Sequence, residues 1–255
     1  MTPADRQELF AKVPEVTFWF WAIKVFATTL GETGGDAVTM SMNLGYLVGS
    51  VIFVALFVAA VAAQIHAKRF HPLLFWTVIV ATTTAGTTLA DFFDRSLGIG
   101  YAGGTSILVA LLAATLILWH RTLGSVAIND IRTRKAEVFY WVAIMFSQTL
   151  GTALGDWMAD SRGLGYERAA LVFGAALVVV ALCHFYTRIS SALLFWAAFI
   201  LTRPLGATLG DLLDKPHAQG GMALSRYTAS AVIALVILVA ILVIPQRPER
   251  LRASE

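Results

Sequence analysis

Asp36, Asp91, Asp156 and Asp211 recur in a 255-residue chain at one fixed offset. Each stands five residues after a glycine: Gly31, Gly86, Gly151 and Gly206. Hydroxyl side chains crowd the same stretches, and TTTAGTTLADFFD, residues 82–94, holds five threonines and two aspartates. Carboxylates backed by hydroxyl and carbonyl oxygens suit hard divalent cations. Zinc or copper would want clustered His and Cys. Here the single cysteine, Cys183, lies in an apolar run, and four of the five histidines (His66, His71, His120, His184) stand far from the aspartates in sequence. His217, near Asp214, is the one histidine placed to contact an ion or sense pH. The candidate ion-binding set is therefore Asp36, Asp91, Asp156, Asp211, Glu32, Thr87, Thr88, Thr152, Thr208 and Arg203, with the four aspartates as metal ligands.

These polar groups sit inside apolar sequence. The chain is 58% hydrophobic and only 14% charged, against about 25% charged in soluble domains. Apolar runs of span length recur, which marks an integral membrane protein. Polar and ionisable groups within such runs are costly toward lipid and are expected to face a bundle interior or a wet cavity.

The chain repeats itself. An aromatic–Trp pair, Phe20-Trp21, Phe75-Trp76, Tyr140-Trp141 and Phe195-Trp196, precedes each glycine with the Trp ten residues ahead of it. Copies one and three lie 120 residues apart, as do copies two and four, the mark of two rounds of duplication. Each copy holds two apolar runs, giving expected spans at 16–36, 46–64, 73–92, 102–119, 138–157, 168–184, 192–211 and 227–244. The organisation is then a leader (1–15), repeats at 16–70, 71–135, 136–190 and 191–245, and a tail (246–255). The fold class is all-α integral membrane: eight transmembrane helices as four parallel two-helix repeats.

Stepping by four from each glycine gives small residues on one face of every odd helix: Ala27, Gly31, Gly35; Thr82, Gly86, Ala90; Ser147, Gly151, Gly155; Thr202, Gly206, Gly210. Such stripes let membrane helices approach closely. The odd helices are expected to form an inner ring, the even ones to face lipid, and the aspartates to meet at the mouth of a polar axial cavity. If the ring closes, Arg203 can pair with Glu32. Pro204 is expected to free a carbonyl in its helix, and Lys24 to snorkel toward the interface. The second acids Asp94, Asp160 and Asp214 are expected in solvated loops beside Arg95, Arg162 and Lys215.

The leader, the even-to-odd connections and the tail carry twelve Lys/Arg, among them Arg6, Arg132 and Arg252, against five in the other connections. The positive-inside rule then puts both termini in the cytoplasm and the aspartates outside. Trp21, Trp76, Trp141 and Trp196 are expected as anchors at the inner interface. The basic run RTRK at 132–135 reads as an inner-surface anchor on anionic lipid.

The four-copy aromatic-Trp, Gly, Asp pattern resembles the bacterial membrane family known by a repeat of unknown function, DUF347. The resemblance spans about residues 16–245. It implies four tandem repeats of two spans, each with a Trp, and carries no activity or functional residue.

The function expected is a multi-pass inner-membrane secondary transporter or exporter of a small cation, with a divalent metal such as manganese favoured and proton coupling as an option. Its partners are the bilayer and the cation or proton. A structural or sensory module is the alternative. A metal-dependent lipid enzyme using the D-x-x-D acids of DFFD and DLLD is a third. P-loop, dinucleotide, nucleophile-elbow and zincin signatures are absent, and nothing points to nucleic acid.

Overall fold

A computed structural model of the chain describes residues 10–131, 133–161 and 163–250. Arg6, Arg132, Arg162, Arg252 and the side chain of Asp160, all used in the charge reading, lie outside the described residues. Eight α-helices are described: α1 (Phe18–Asp36), α2 (Gly45–His66), α3 (Pro72–Asp91), α4 (Tyr101–Leu123), α5 (Arg134–Asp156), α6 (Gly165–Tyr186), α7 (Ser191–Asp214) and α8 (Arg226–Val243). All but α1 are long and apolar enough to cross a bilayer; α1 carries Lys24, Glu32 and Asp36.

Local chemistry sets several boundaries. Thr17 and Thr133 accept from backbone N–H groups of Phe20 and Ala136 and so start α1 and α5. Pro72 occupies the first turn of α3, where its missing N–H costs nothing. Gly45, Gly100 and Gly165, which precede the repeat tyrosines, adopt φ of 74°, 76° and 73°. Only glycine takes that turn without strain, which explains the recurring Gly-Tyr.

The sequence repeat is not the packing unit. Each even helix packs on the odd helix of the next copy: α2 on α3, α4 on α5, α6 on α7, and α8 back on α1. Connections as short as residues 67–71 and 187–190 fold consecutive helices into antiparallel pairs. The odd helices contact one another as α1 with α3, α3 with α5, α5 with α7, and α7 with α1. They run parallel, because Phe20, Phe75, Tyr140, Trp141, Phe195 and Trp196 gather at one end and the repeat aspartates at the other. Even helices leave large apolar side chains bare, including Val51, Leu56 and Val58 on α2 and Leu235 and Leu242 on α8.

Small residues mediate the odd–odd contacts in one repeating register. The central stripe glycine of each copy seats the residue three places before the matching glycine of the next copy: Gly31 seats Thr83, Gly86 seats Gln148, Gly151 seats Arg203 and Gly206 seats Thr28.

Two expectations fail at the aromatic end. Trp76, Trp141 and Trp196 are buried, so these three rings are closed off by protein instead of anchoring in headgroups, while Trp21 is half-buried. The buried three serve as core, packing edge-on with Phe75, Tyr140 and Trp119. Lys24 does not snorkel either; it is fully buried. The chain ends add a feature the sequence did not suggest: β1 (Phe10–Pro14) pairs antiparallel with β2 (Pro248–Arg250). Lys12 on β1 bonds the Ile65 carbonyl at 3.0 Å and pairs with Glu137 at 2.7 Å. Trp76 Nε1 donates to Gln246 Oε1. Both described chain ends thus lie across the aromatic end.

A methyl group at Gly206 would stand 2.9 Å from the Thr28 backbone carbon, and one at Gly86 would stand 2.9 Å from the Thr149 backbone nitrogen. Gly206→Ala and Gly86→Ala should each cost about 1–3 kcal/mol by overpacking. Gly34→Ala meets nothing within 4 Å and should gain about 0.5–1 kcal/mol from helix propensity. Thermal unfolding in detergent reads the difference. Equal behaviour of the three variants would refute close approach as the role of the stripe.

Candidate ion site at the aspartate end

One register organises the interior. Counting in fours from each glycine, positions −11, −7, −3, +1 and +5 share a helix face. They form five layers between the odd helices. Phe20, Phe75, Tyr140 and Phe195 make the aromatic layer. Lys24, Ile79, Ile144 and Phe199 come next, then Thr28, Thr83, Gln148 and Arg203. Glu32, Thr87, Thr152 and Ala207 follow, and Asp36, Asp91, Asp156 and Asp211 close the series. All twenty are buried, none more than 8% exposed. The open axial cavity expected from sequence is instead a filled column.

Arg203 fills its middle. Its Nη2 donates to Glu32 Oε2 at 2.9 Å, to Thr152 Oγ1 at 2.6 Å and to Thr87 Oγ1. A single guanidinium nitrogen on α7 therefore engages α1, α3 and α5. The expected Arg203–Glu32 ion pair is present. It fits because Gly151 leaves room for the arginine stem, and because the fourth copy has Ala207 where the others have Glu32, Thr87 and Thr152. Arg203 Nε and Nη1 and both amide atoms of Gln148 have no hydrogen-bond partner among the described residues. One layer further, Lys24 Nζ donates to the Phe199 carbonyl at 3.0 Å and to Thr202 Oγ1, and lies 3.8 Å from the Phe199 ring centroid. Helix α7 runs unbroken through Pro204, whose carbonyl accepts from Thr208 Oγ1.

Asp36, Asp91 and Asp156 are the last residues of their α-helices, whereas Asp211 lies inside α7. In the first three copies a five-residue π-helical segment follows: Ala37–Ser41, Phe92–Ser96 and Trp157–Ser161. Asp36 and Asp91 make no capping hydrogen bond there. Single π turns inside helices often mark functional sites. The four carboxylates are clamped in pairs by cations from the connections. Arg95 bridges Asp91 at 2.8 Å and Asp156 at 3.0 Å. Lys215 bridges Asp211 at 3.1 Å and Asp36 at 2.5 Å. Arg95 and Lys215 are 120 residues apart, so the clamps are equivalent under the internal duplication. Burial pushes the Lys215 ammonium down, but Asp211, Asp36 and Asp214 more than offset it and hold it above the ordinary lysine range. Arg226 adds a contact to Asp214 at 3.1 Å and lies 3.8 Å from Asp36.

The Lys215 half carries a buried acid that its twin lacks. Glu32 stands where the other half has Thr152. Oxygen atoms of Glu32, Asp36 and Asp211 all lie within 4.8 Å of one another, and all three residues are buried. Asp36 Oδ1 has no hydrogen-bond partner among the described residues. This cluster is where the chain could hold a hard cation through oxygen ligands. Above it opens a basin of about 660 Å³ lined by Arg95, Tyr166, Lys215, Gln219 and Arg226, among others.

Of the other candidates, Thr87 and Thr152 join the Arg203 network, but Thr88 and Thr208 do not. Their hydroxyls turn back on carbonyls of their own helices, because position +2 leaves the axial face. Asp94 and Asp214 are buried, not solvated: Asp94 packs against Gly104 and Asp214 pairs with Arg226. His217 bonds the Gly221 carbonyl within its own loop. Sequence reasoning left Arg95 and Lys215 in solvent. Their shared offset, four residues beyond an aspartate in copies two and four, was the available signal.

Residues 19–70, 74–125, 139–190 and 194–250 each match the family described as Repeat of Unknown Function (DUF347). No curated protein and no solved structure matches the chain.

Glu32→Gln leaves the Arg203 guanidinium buried without its counter-charge and should cost about 3–5 kcal/mol. Arg203→Met strands Glu32 in the same way. The double variant should recover most of the loss, since neither charge then lacks its partner. A double-mutant cycle of unfolding in detergent measures the coupling; simply additive losses would show that the pair does not govern this layer.

Proposed function

The chain belongs to the family of the Repeat of Unknown Function (DUF347), whose description carries no activity, and we propose from the site itself that it moves a small cation across a membrane. A hard divalent ion such as manganese is the favoured substrate, with proton exchange as the coupling option. The observation that carries this reading is the buried cluster of Glu32, Asp36 and Asp211 oxygens within 4.8 Å of one another. Carboxylates that close, out of water, are tolerable only with cationic charge among them. A site that must hold positive charge, beneath a basin, suits an ion that comes and goes.

In this proposal the odd helices form the inner ring of the membrane domain, and α1 is its eighth span. The even helices face lipid, which agrees with their bare apolar side chains. The positive-inside bias puts both chain ends and the aromatic layer in the cytoplasm and the basin outside, in a bacterial inner membrane. Ions reach the aspartate layer from the basin, while the Arg203 and aromatic layers bar the way onward. Passage then needs the two 120-residue halves to rock about the column.

A static membrane module is the second reading, favoured by the filled column. It predicts neither cation-dependent stabilisation nor flux.

Reconstituted protein should carry Mn²⁺ into dye-loaded vesicles. Asp36→Asn and Asp211→Asn should each lower the rate about tenfold or more, since each removes a charged ligand oxygen. Unchanged flux in the variant lacking all four repeat aspartates would sink the proposal.

A further inference from the structure

We propose that Lys215 is a tethered competitor for the cation, so that exchange occurs in one of the two duplicated half-sites while Arg95 keeps the other permanently closed. This rests on the cation-binding reading above. The two halves share one plan: a cation four residues past its own aspartate bridges to the aspartate of the next copy. Three of their differences favour exchange at the Lys215 half, while Arg226, 3.1 Å from Asp214 and 3.8 Å from Asp36, adds a second cation there.

The first is the clamp. A guanidinium presents several donors in a rigid fork and stays charged, which suits a fixed bridge between Asp91 and Asp156. An ammonium is a compact point charge on a flexible stem and is more easily replaced by a free ion. The second is the number of carboxylates. The Lys215 half adds Glu32, where the Arg95 half has Thr152. Glu32 pairs with Arg203 and lies close to both carboxylates that Lys215 bridges, so this half gathers three acids at its cation where the other bridges two. Asp36 Oδ1, buried and unpartnered among the described residues, supplies an unused ligand oxygen there.

The third is the backbone. Arg95 lies within the π-helical segment Phe92–Ser96. Lys215 is the first residue after α7, followed by Pro216, a short 3-10 turn (His217–Gln219) and Gly220 at φ 84°. This loop is the insertion peculiar to the fourth copy, and its Lys215, Pro216 and Gln219 line the basin, which Arg95 also lines. Withdrawal of Lys215 with its loop would open the cluster toward the basin and leave a gap the size of an ammonium between Asp36 and Asp211, with Glu32 close by.

The test uses full-length protein in detergent, with thermal stabilisation by Mn²⁺ as readout. A ligand whose site is free only part of the time binds with an apparent affinity reduced by that fraction. Lys215→Gln should therefore lower the half-saturating Mn²⁺ concentration at least about tenfold, as expected if the lysine occupies the site more than about nine-tenths of the time. Arg95→Gln should give no such gain. Lys215→Arg, which keeps the charge but locks the bridge, should weaken the response and serves as the test if Lys215→Gln does not fold. Wild-type stabilisation with no tightening in Lys215→Gln, or with Mn²⁺ binding to Lys215→Arg as tight as to wild type, overturns the competitor role and leaves the cation reading standing. Equal tightening in Arg95→Gln overturns the asymmetry. No Mn²⁺ response in either wild type or Lys215→Gln overturns both this inference and the cation reading.

Discussion

A guanidinium held among four helices, with no water-exposed surface, governs how this interior is arranged. Arg203 is 0% exposed, and an isolated buried charge costs far more than a protein's net stability. Its neighbours follow from that constraint. Glu32 supplies the opposite charge, and Thr87 and Thr152 supply acceptor oxygens. Gly151 leaves space for the stem, and Ala207 keeps the arginine's own helix out of the way. One large side chain cannot obey fourfold symmetry, so the layer is filled by one copy and lined by the other three.

The aspartate layer solves the same electrostatic problem at lower symmetry. Four carboxylates brought together by parallel helices need counter-charge, and two connections provide it in matching fashion. Duplication explains the matching plan, and divergence at three positions explains the inequality. Where Arg95 faces Thr152's copy, one guanidinium bridges two carboxylates. Where Lys215 faces Glu32's copy, a third acid crowds the site.

Apolar packing frames these polar layers. The aromatic layer below and the bare aliphatic helices around confine the charged groups to the column and its mouth. The strand pair formed by the chain ends ties first and last copies together across the aromatic end, where α8 also packs back on α1.

Much of this was written in local spacing. The helices, the four copies, the glycine stripes and the Arg203–Glu32 pair follow from residue type and a period of four, because a helix places every fourth residue on one face whatever surrounds it. Burial of Trp76, Lys24 and Asp94, the pairing of β1 with β2, and the docking of each even helix on the next copy do not follow from spacing. They depend on which surfaces meet, and hydropathy alone cannot tell a ring buried in protein from one resting in headgroups. The cations that hold the aspartates were legible as residues but not as partners. A lysine just past a helix end looks solvated until the fold brings a second helix's carboxylate within 2.5 Å of it, and that distance belongs to the tertiary structure alone.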